Sequence, residues 1–124
     1  MSTITVSGSP DYDVVVGRGL RPMIPSILGS KVQKILVIHA PIMSAEAEAL
    51  RSELSDRYQV LLAEVPDAED AKRIEVATFC WQVMGQADFH RNDAVVGIGG
   101  GSTTDLAGFV AATWLGGIRC ILIP

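Results

Sequence analysis

Apolar residues recur along the chain in two alternating rhythms: short unbroken runs, and longer stretches spaced three and four apart. Residues 34–38, 94–98 and 119–123 are runs of strand length without polar alternation, the pattern of strands covered on both faces. Residues 60–63 read the same way. Between these runs, residues 44–58 place Ala47, Leu50 and Leu54 on one helical face and set Glu46, Glu48, Arg51 and Glu53 mostly off it, with Ser44 available as a cap. Residues 74–84 predict a second helix, with Ile74, Ala77, Phe79 and Trp81 supplying bulk, and residues 106–114 a third that is apolar and alanine-rich. Ahead of them, residues 4–6 and 12–16 are β-branched strands flanking a turn at 7–11. They predict an N-terminal β-hairpin closed by Gly17-Arg-Gly19. Residues 20–28 predict a short amphipathic helix that tolerates Pro22 and Pro25 only near its start.

Strands that alternate with helices of this length form βαβ units. The expected fold class is therefore α/β: a Rossmann-like, doubly wound, mostly parallel sheet carrying an N-terminal β-hairpin, in one domain over residues 1–124. The last apolar strand runs directly into Pro124 with no covering helix after it, so the expectation is a truncated chain or half of a two-domain protein.

Composition narrows the partners more than the fold. Hydrophobic residues make up 48% and charged residues 19%, which is a core-forming balance. The net charge of −4, with no basic cluster, argues against nucleic acid or an anionic membrane. No apolar run approaches the length of a membrane span, and the N-terminus lacks the basic-then-apolar pattern of a signal peptide. Cys80 and Cys120 lie far apart in apolar surroundings and read as reduced core thiols, which suits a reducing cytoplasm. Trp81 and Trp114 read as core residues. His90 reads as a solvated turn residue.

The candidate chemistry sits where the run at 94–98 meets Gly99-Gly-Gly-Ser-Thr-Thr-Asp105. A glycine turn between a buried strand and a helix start lets backbone approach a phosphate, and the first-turn N–H groups with their partial positive charge attract it. Gly99, Gly100 and Gly101 supply the bare backbone and permit positive φ, Ser102, Thr103 and Thr104 supply hydroxyl donors, and Asp105 is expected in the first helical turn, able to accept from a ribose or an amide. The segment lacks the G-x-G-x-x-G spacing, and no Gly-Lys-Ser/Thr follows, so an ATPase P-loop is not indicated. A second candidate is the acidic stretch Val65-Pro-Asp-Ala-Glu-Asp-Ala-Lys72, at the carboxyl end of the run at 60–63. Asp67 and Glu69 can accept from ribose hydroxyls and Lys72 can reach a phosphate. Read from spacing alone, the stretch is equally a solvated loop leading into the next helix. His39 ends the run at 34–38 and is either at the mouth of a cleft or an incidental surface residue. No metal-ligand cluster and no nucleophile–base arrangement is evident.

With these residues in view, the sequence resembles the N-terminal half of 3-dehydroquinate synthases. The segment Gly99-Gly-Gly-Ser-Thr-Thr-Asp-Leu-Ala-Gly-Phe-Val-Ala-Ala-Thr-Trp-Leu-Gly-Gly-Ile118 is similar to that family's GGG-x-x-x-D-x-x-GF-x-A-A run. Tyr12-Asp-Val-Val-Val-Gly-Arg-Gly-Leu20 resembles its opening, and residues 65–72 resemble its P-D-G-E-x-x-K loop. Two departures stand out: Ala68 replaces the loop glycine, and His39-Ala-Pro41 occupies the place where many members contact the adenosine ribose.

The resemblance implies a dehydroquinate synthase-like N-terminal domain that binds NAD, cut before an α-helical domain holding a divalent metal, zinc or cobalt. It implies that Asp67, Glu69 and Lys72 hold the ribose and neighbouring groups, and that Gly101 to Asp105 hold the pyrophosphate and nicotinamide side. No catalytic or metal-binding residue is expected in this chain, which alone is expected to be inactive. The implied reaction converts 3-deoxy-D-arabino-heptulosonate 7-phosphate to 3-dehydroquinate and phosphate in the shikimate pathway, in a cytoplasmic homodimer. Other readings remain open at this level: an iron-dependent alcohol or glycerol dehydrogenase, another sugar-phosphate cyclase, or a non-catalytic nucleotide-binding module. The first is disfavoured by Gly-Phe-Val-Ala-Ala-Thr following shortly after Asp105, where such dehydrogenases usually place a lysine.

Overall fold

A computed structural model of the chain describes residues 1–7, 12–66 and 73–124. Six strands form one sheet: β1 (Ser2–Val6), β2 (Tyr12–Val16), β3 (Lys34–His39), β4 (Gln59–Glu64), β5 (Ala94–Ile98) and β6 (Arg119–Ile123), in the spatial order β1-β2-β6-β5-β3-β4. β1 and β2 pair antiparallel, with Ile4 opposite Val14, and every other neighbour pair is parallel. Four helices connect the strands: α1 (Ile24–Leu28), α2 (Ser44–Leu54), α3 (Arg73–Gln86) and α4 (Gly101–Thr113). This is the α/β, doubly wound, mostly parallel sheet that the hydrophobic pattern predicts.

Two cores explain why the central strands carry no polar alternation. On one face, Ile35 and Val37 of β3 and Ala94, Val96 and Ile98 of β5 pack against Ile24 and Leu28 of α1 and Ala47, Leu50 and Leu54 of α2. On the other, Leu36, Ile38, Ala63 and Val95 pack against Ala77, Cys80 and Met84 of α3 and Leu106, Ala107, Val110 and Ala111 of α4. Successive strand residues alternate between faces, so both faces must be apolar when helices cover each.

Several boundaries differ from the pattern. The helix expected over 20–28 splits into a 3-10 turn (Arg21–Met23) and α1, with Pro22 and Pro25 each at the opening of its own segment, where no intrahelical N–H is needed. α2 stops at Leu54 rather than Tyr58. The amides of Arg57 and Tyr58 both fold back onto the Leu54 carbonyl, and Tyr58 is buried in the first core. Ser44 is not a cap: it is the first helical residue, and its hydroxyl bridges the Pro41 carbonyl and Glu64 Oε1. In α3 the buried face is Ala77, Cys80 and Met84, whereas Ile74 and Phe79 are exposed. Trp81 and Trp114 are half-buried at the rim of the second core, and their indole N–H groups donate to Thr113 Oγ1 and the Phe89 carbonyl.

At the amino end of the parallel strands, buried Asp93 accepts from the backbone N–H groups of Gln33, Lys34 and His90 at 3.2, 2.9 and 2.7 Å. One carboxylate thus ties the start of β3 to the turn before β5. Cys80 and Cys120 are free and buried in the second core. Burial pushes their thiols up to about 11 and about 12, because the thiolate loses its hydration there. Both thiols should therefore stay unmodified by thiol reagents at pH 8 in the native protein and react once it is unfolded in urea. The unfolded chain releases these protons near pH 9 and the folded chain does not, so stability should fall as pH rises above 9. Replacing both cysteines with alanine should flatten that alkaline decline. Among the described residues, no helix is long and apolar enough to cross a membrane.

Candidate functional site

Strand order decides where a ligand fits. From β3 the chain passes through α2 to β4 on one side, and from β5 it passes through α4 to β6 on the other. The connections diverge between β3 and β5, which are in register so that His39 lies beside Ile98 at their carboxyl ends. A crevice opens at such a switch point in doubly wound sheets.

The glycine turn stands at that point. β5 is buried along its whole length, and Gly97 lets α4 press against it: a Cβ there would meet the Ala107 Cβ at 2.5 Å. Of the three turn glycines, only Gly99 adopts the left-handed range, with φ +139°, and its N–H donates to the Ile123 carbonyl at 3.2 Å, fastening the turn to the end of β6. Gly100 is the N-cap of α4 at φ −71° and ψ −179°, which any residue can adopt, and Gly101 opens the helix. A Cβ on either would meet nothing within 4 Å. Their value is a backbone bare of side chains at the start of a helix, where first-turn amides have no intrahelical acceptor four residues back.

The hydroxyl residues separate. Thr104 turns inward and its hydroxyl donates to the carbonyls of Gly100 and Gly101 at 3.3 and 3.2 Å, tightening the turn from within. Thr103 is also buried, and its Oγ1 has no partner among the described residues. Ser102 is half-exposed at the rim. Asp105 is not in the first turn: α4 begins at Gly101, so Asp105 is its fifth residue, exposed and beyond the reach of the helix-end charge. It lines a cleft of about 270 Å³ together with Ile74, Leu106 and Phe109. This apolar-walled cleft with one carboxylate, and the packing role of Gly97, were not foreseen. The signal for Gly97 was available, as a glycine inside an otherwise aliphatic strand often marks a close backbone approach.

Asp67, Glu69 and Lys72 lie outside the described residues, between β4 and α3. His39 is at the carboxyl end of β3, beside the switch point, but it is not on the surface. It is 3% exposed, and its Nδ1–H donates to the Ala40 carbonyl at 2.8 Å as the chain folds over it into the 3-10 turn Pro41–Met43. His90 is exposed in its turn. Among the described residues, no three His, Cys, Asp or Glu side chains converge as metal ligands.

Comparison with known proteins places this geometry in a family. The chain is 60% identical over 121 residues to a 3-dehydroquinate synthase from Leifsonia xyli subsp. xyli (strain CTCB07), covering 98% of this chain and 34% of that protein. It is 54% identical over 119 residues to the 3-dehydroquinate synthase of Arthrobacter sp. (strain FB24), covering 95% and 33%. The chain thus spans about a third of the length of these curated relatives. A crystal structure of 2-deoxy-scyllo-inosose synthase complexed with carbaglucose-6-phosphate, NAD+ and Co2+ superposes with a TM-score of 0.76 at 17% identity, over 99% of this chain and 34% of that one, a likeness of fold. The family model for the 3-dehydroquinate synthase N-terminal region matches residues 62–124, from within β4 through the glycine turn to β6, and the chain belongs to that family.

Proposed function

We propose that residues 1–124 are the NAD-binding domain of a 3-dehydroquinate synthase, the lyase that converts 3-deoxy-D-arabino-heptulosonate 7-phosphate to 3-dehydroquinate and phosphate. The observation that carries this reading is the glycine turn at the β3/β5 switch point, bare of side chains at Gly100 and Gly101 and opening a thirteen-residue helix, in a chain of this family. The reading brings with it a sugar-phosphate substrate, a homodimeric full-length enzyme and a cytoplasmic location.

When bound, the dinucleotide supplies a reversible hydride acceptor, and a divalent metal held by residues outside this chain supplies Lewis-acid polarisation. The chain's own residues bind and orient. The backbone at Gly100 and Gly101, with the start of α4, holds the pyrophosphate, and Ser102 adds a hydroxyl at its rim. Thr104 keeps the turn closed through its bonds to the Gly100 and Gly101 carbonyls. Asp105 accepts from a hydroxyl or amide of the dinucleotide at the cleft beside Ile74 and Phe109. Asp67, Glu69 and Lys72 hold the ribose and the groups next to it.

The decisive assay follows phosphate release from the heptulosonate phosphate by the full-length protein with NAD in catalytic amount. Phosphate should appear without net NADH. Release that demands one NADH per turnover, or none at all, would refute the synthase reading. For the site, Asp105→Ala should weaken NAD binding in calorimetry at least about tenfold, the loss of one charge-assisted hydrogen bond. Unchanged affinity would remove Asp105 from the site.

A further inference from the structure

Four threonines lie in the described helices, and three of them behave alike. Thr78, Thr104 and Thr113 donate their hydroxyls to the carbonyl four residues back, on Ile74, Gly100 and Phe109, at 2.7, 3.3 and 2.7 Å. This back-bond is the ordinary resting place of a helical threonine. Thr103 is the exception. Its carbonyl four residues back belongs to Gly99, which stands outside the helix at φ +139°. The Thr103 hydroxyl is left buried, with the residue 1% exposed and no partner for Oγ1 among the described residues. It lies 3.5 Å from where a Cβ on Gly99 would stand, directly beneath the turn.

A buried hydroxyl without a partner destabilises the fold that carries it, and valine would fill the same space without that penalty. The bonds that hold the turn, from the Gly99 N–H and to the Gly100 carbonyl, belong to the peptides on either side of the Gly99–Gly100 peptide, which leaves that peptide able to rotate. Gly99 tolerates a wide range of φ, and a Cβ on Gly100 would touch nothing. In a trans peptide the N–H and C=O point in opposite directions. Rotating the Gly99–Gly100 peptide so that its N–H faces outward would therefore bring the Gly99 carbonyl inward.

We propose that Thr103 is a positioning residue that locks the glycine turn around a pyrophosphate group. As the anion seats on the start of α4, the Gly100 N–H turns toward it. The Gly99 carbonyl then turns toward Thr103, which donates the same four-residue back-bond that the other helical threonines already make. The hydroxyl is unpaired in the free protein and paired in the complex, so the anion's affinity includes the formation of this internal bond. This rests on the reading that the turn takes the phosphates of a dinucleotide, and it deepens that reading by naming the group that is sensed and the residue that responds.

The test uses the intact protein with Thr103→Val and Thr103→Ser, titrated by calorimetry with NAD and with ADP, and melted without ligand. Thr103→Val should weaken both nucleotides about tenfold, one hydrogen bond's worth. The ligand-free midpoint of that variant should rise by about 2–4 °C. Thr103→Ser should bind within about twofold of the native protein. Native affinity in Thr103→Val overturns the proposal, as does equal weakening in both variants, which would assign the effect to shape. A lowered midpoint in ligand-free Thr103→Val also overturns it, because the hydroxyl would then be paired at rest. Native protein that binds neither NAD nor ADP defeats the phosphate reading of the turn itself, a failure distinct from the others.

Discussion

Asp93→Ala should lower the unfolding free energy by about 3 kcal/mol, more than any other single polar replacement in the described residues. The carboxylate is 2% exposed and serves three backbone donors, those of Gln33, Lys34 and His90. Removing it leaves three partly buried bonds without their acceptor, and the penalty is that of unmet donors rather than of lost attraction alone. Two of those donors precede or open β3 and the third lies in the turn before β5, so the register of the central strand pair is loosened at its amino end. Asp93→Asn keeps one acceptor oxygen and should fall between the native protein and the alanine variant. Urea denaturation measures both through the midpoint, with the slope unchanged. A loss below about 1 kcal/mol in Asp93→Ala would mean that the three amides find other acceptors.

Gly97→Ala should act at the opposite end of the same strand, on stability and ligand affinity together. The added methyl would stand 2.5 Å from the Ala107 Cβ and 3.3 Å from Leu122 Cδ2. The leucine tip can yield, but Ala107 is fixed on α4, so the helix must move outward. Overpacking of this kind costs about 1–3 kcal/mol. Because α4 carries the turn at its start, the helix-start amides move with it, and NAD affinity should drop about tenfold, as small misplacements of binding groups are expensive. The companion change Ala107→Gly removes the opposing methyl. In the double variant the affinity should return, while stability stays about 1 kcal/mol low from glycine within a helix. Affinity that remains native in Gly97→Ala alone would separate the turn from the packing beneath it.

The sheet was legible because burial on both faces leaves a plain record. β3, β5 and β6 are aliphatic runs, and the runs at 94–98 and 119–123 coincide with strands to the residue. Helix detail was less legible wherever bulk and periodicity disagree. In α3 the large side chains Ile74 and Phe79 suggest the core face, yet the smaller Ala77, Cys80 and Met84 sit three and four apart and take it. The start of α4 was hidden because Gly101 is a poor helix former and the apolar spacing begins only at Leu106. Packing of Thr103 and Thr104 beneath the turn overrides that propensity. This is why Asp105 reads as a first-turn residue and is found one turn later. His39 looks like a surface residue because it ends a strand. Its burial, with Nδ1–H bonded to the Ala40 carbonyl, is not visible in the residue itself. The position of the glycine turn was legible from the sequence. The split among its glycines, one for conformation and two for clearance, depends on torsions that a sequence does not carry.

The strand order also sets a schedule. β2 joins the rest of the sheet only through β6, the last of the six strands, and β1 joins only through β2. As the chain leaves a ribosome, the hairpin emerges well before the strand it docks on, Arg119 to Ile123. Until then the flank of β5 that pairs with β6 has no neighbour, and the hairpin has no place in the sheet. Insertion of β6 seals that flank and captures the hairpin in one event, and it also brings the Ile123 carbonyl to the Gly99 N–H. The glycine turn therefore takes its final shape only once β6, the latest of these six strands in chain order, is in place.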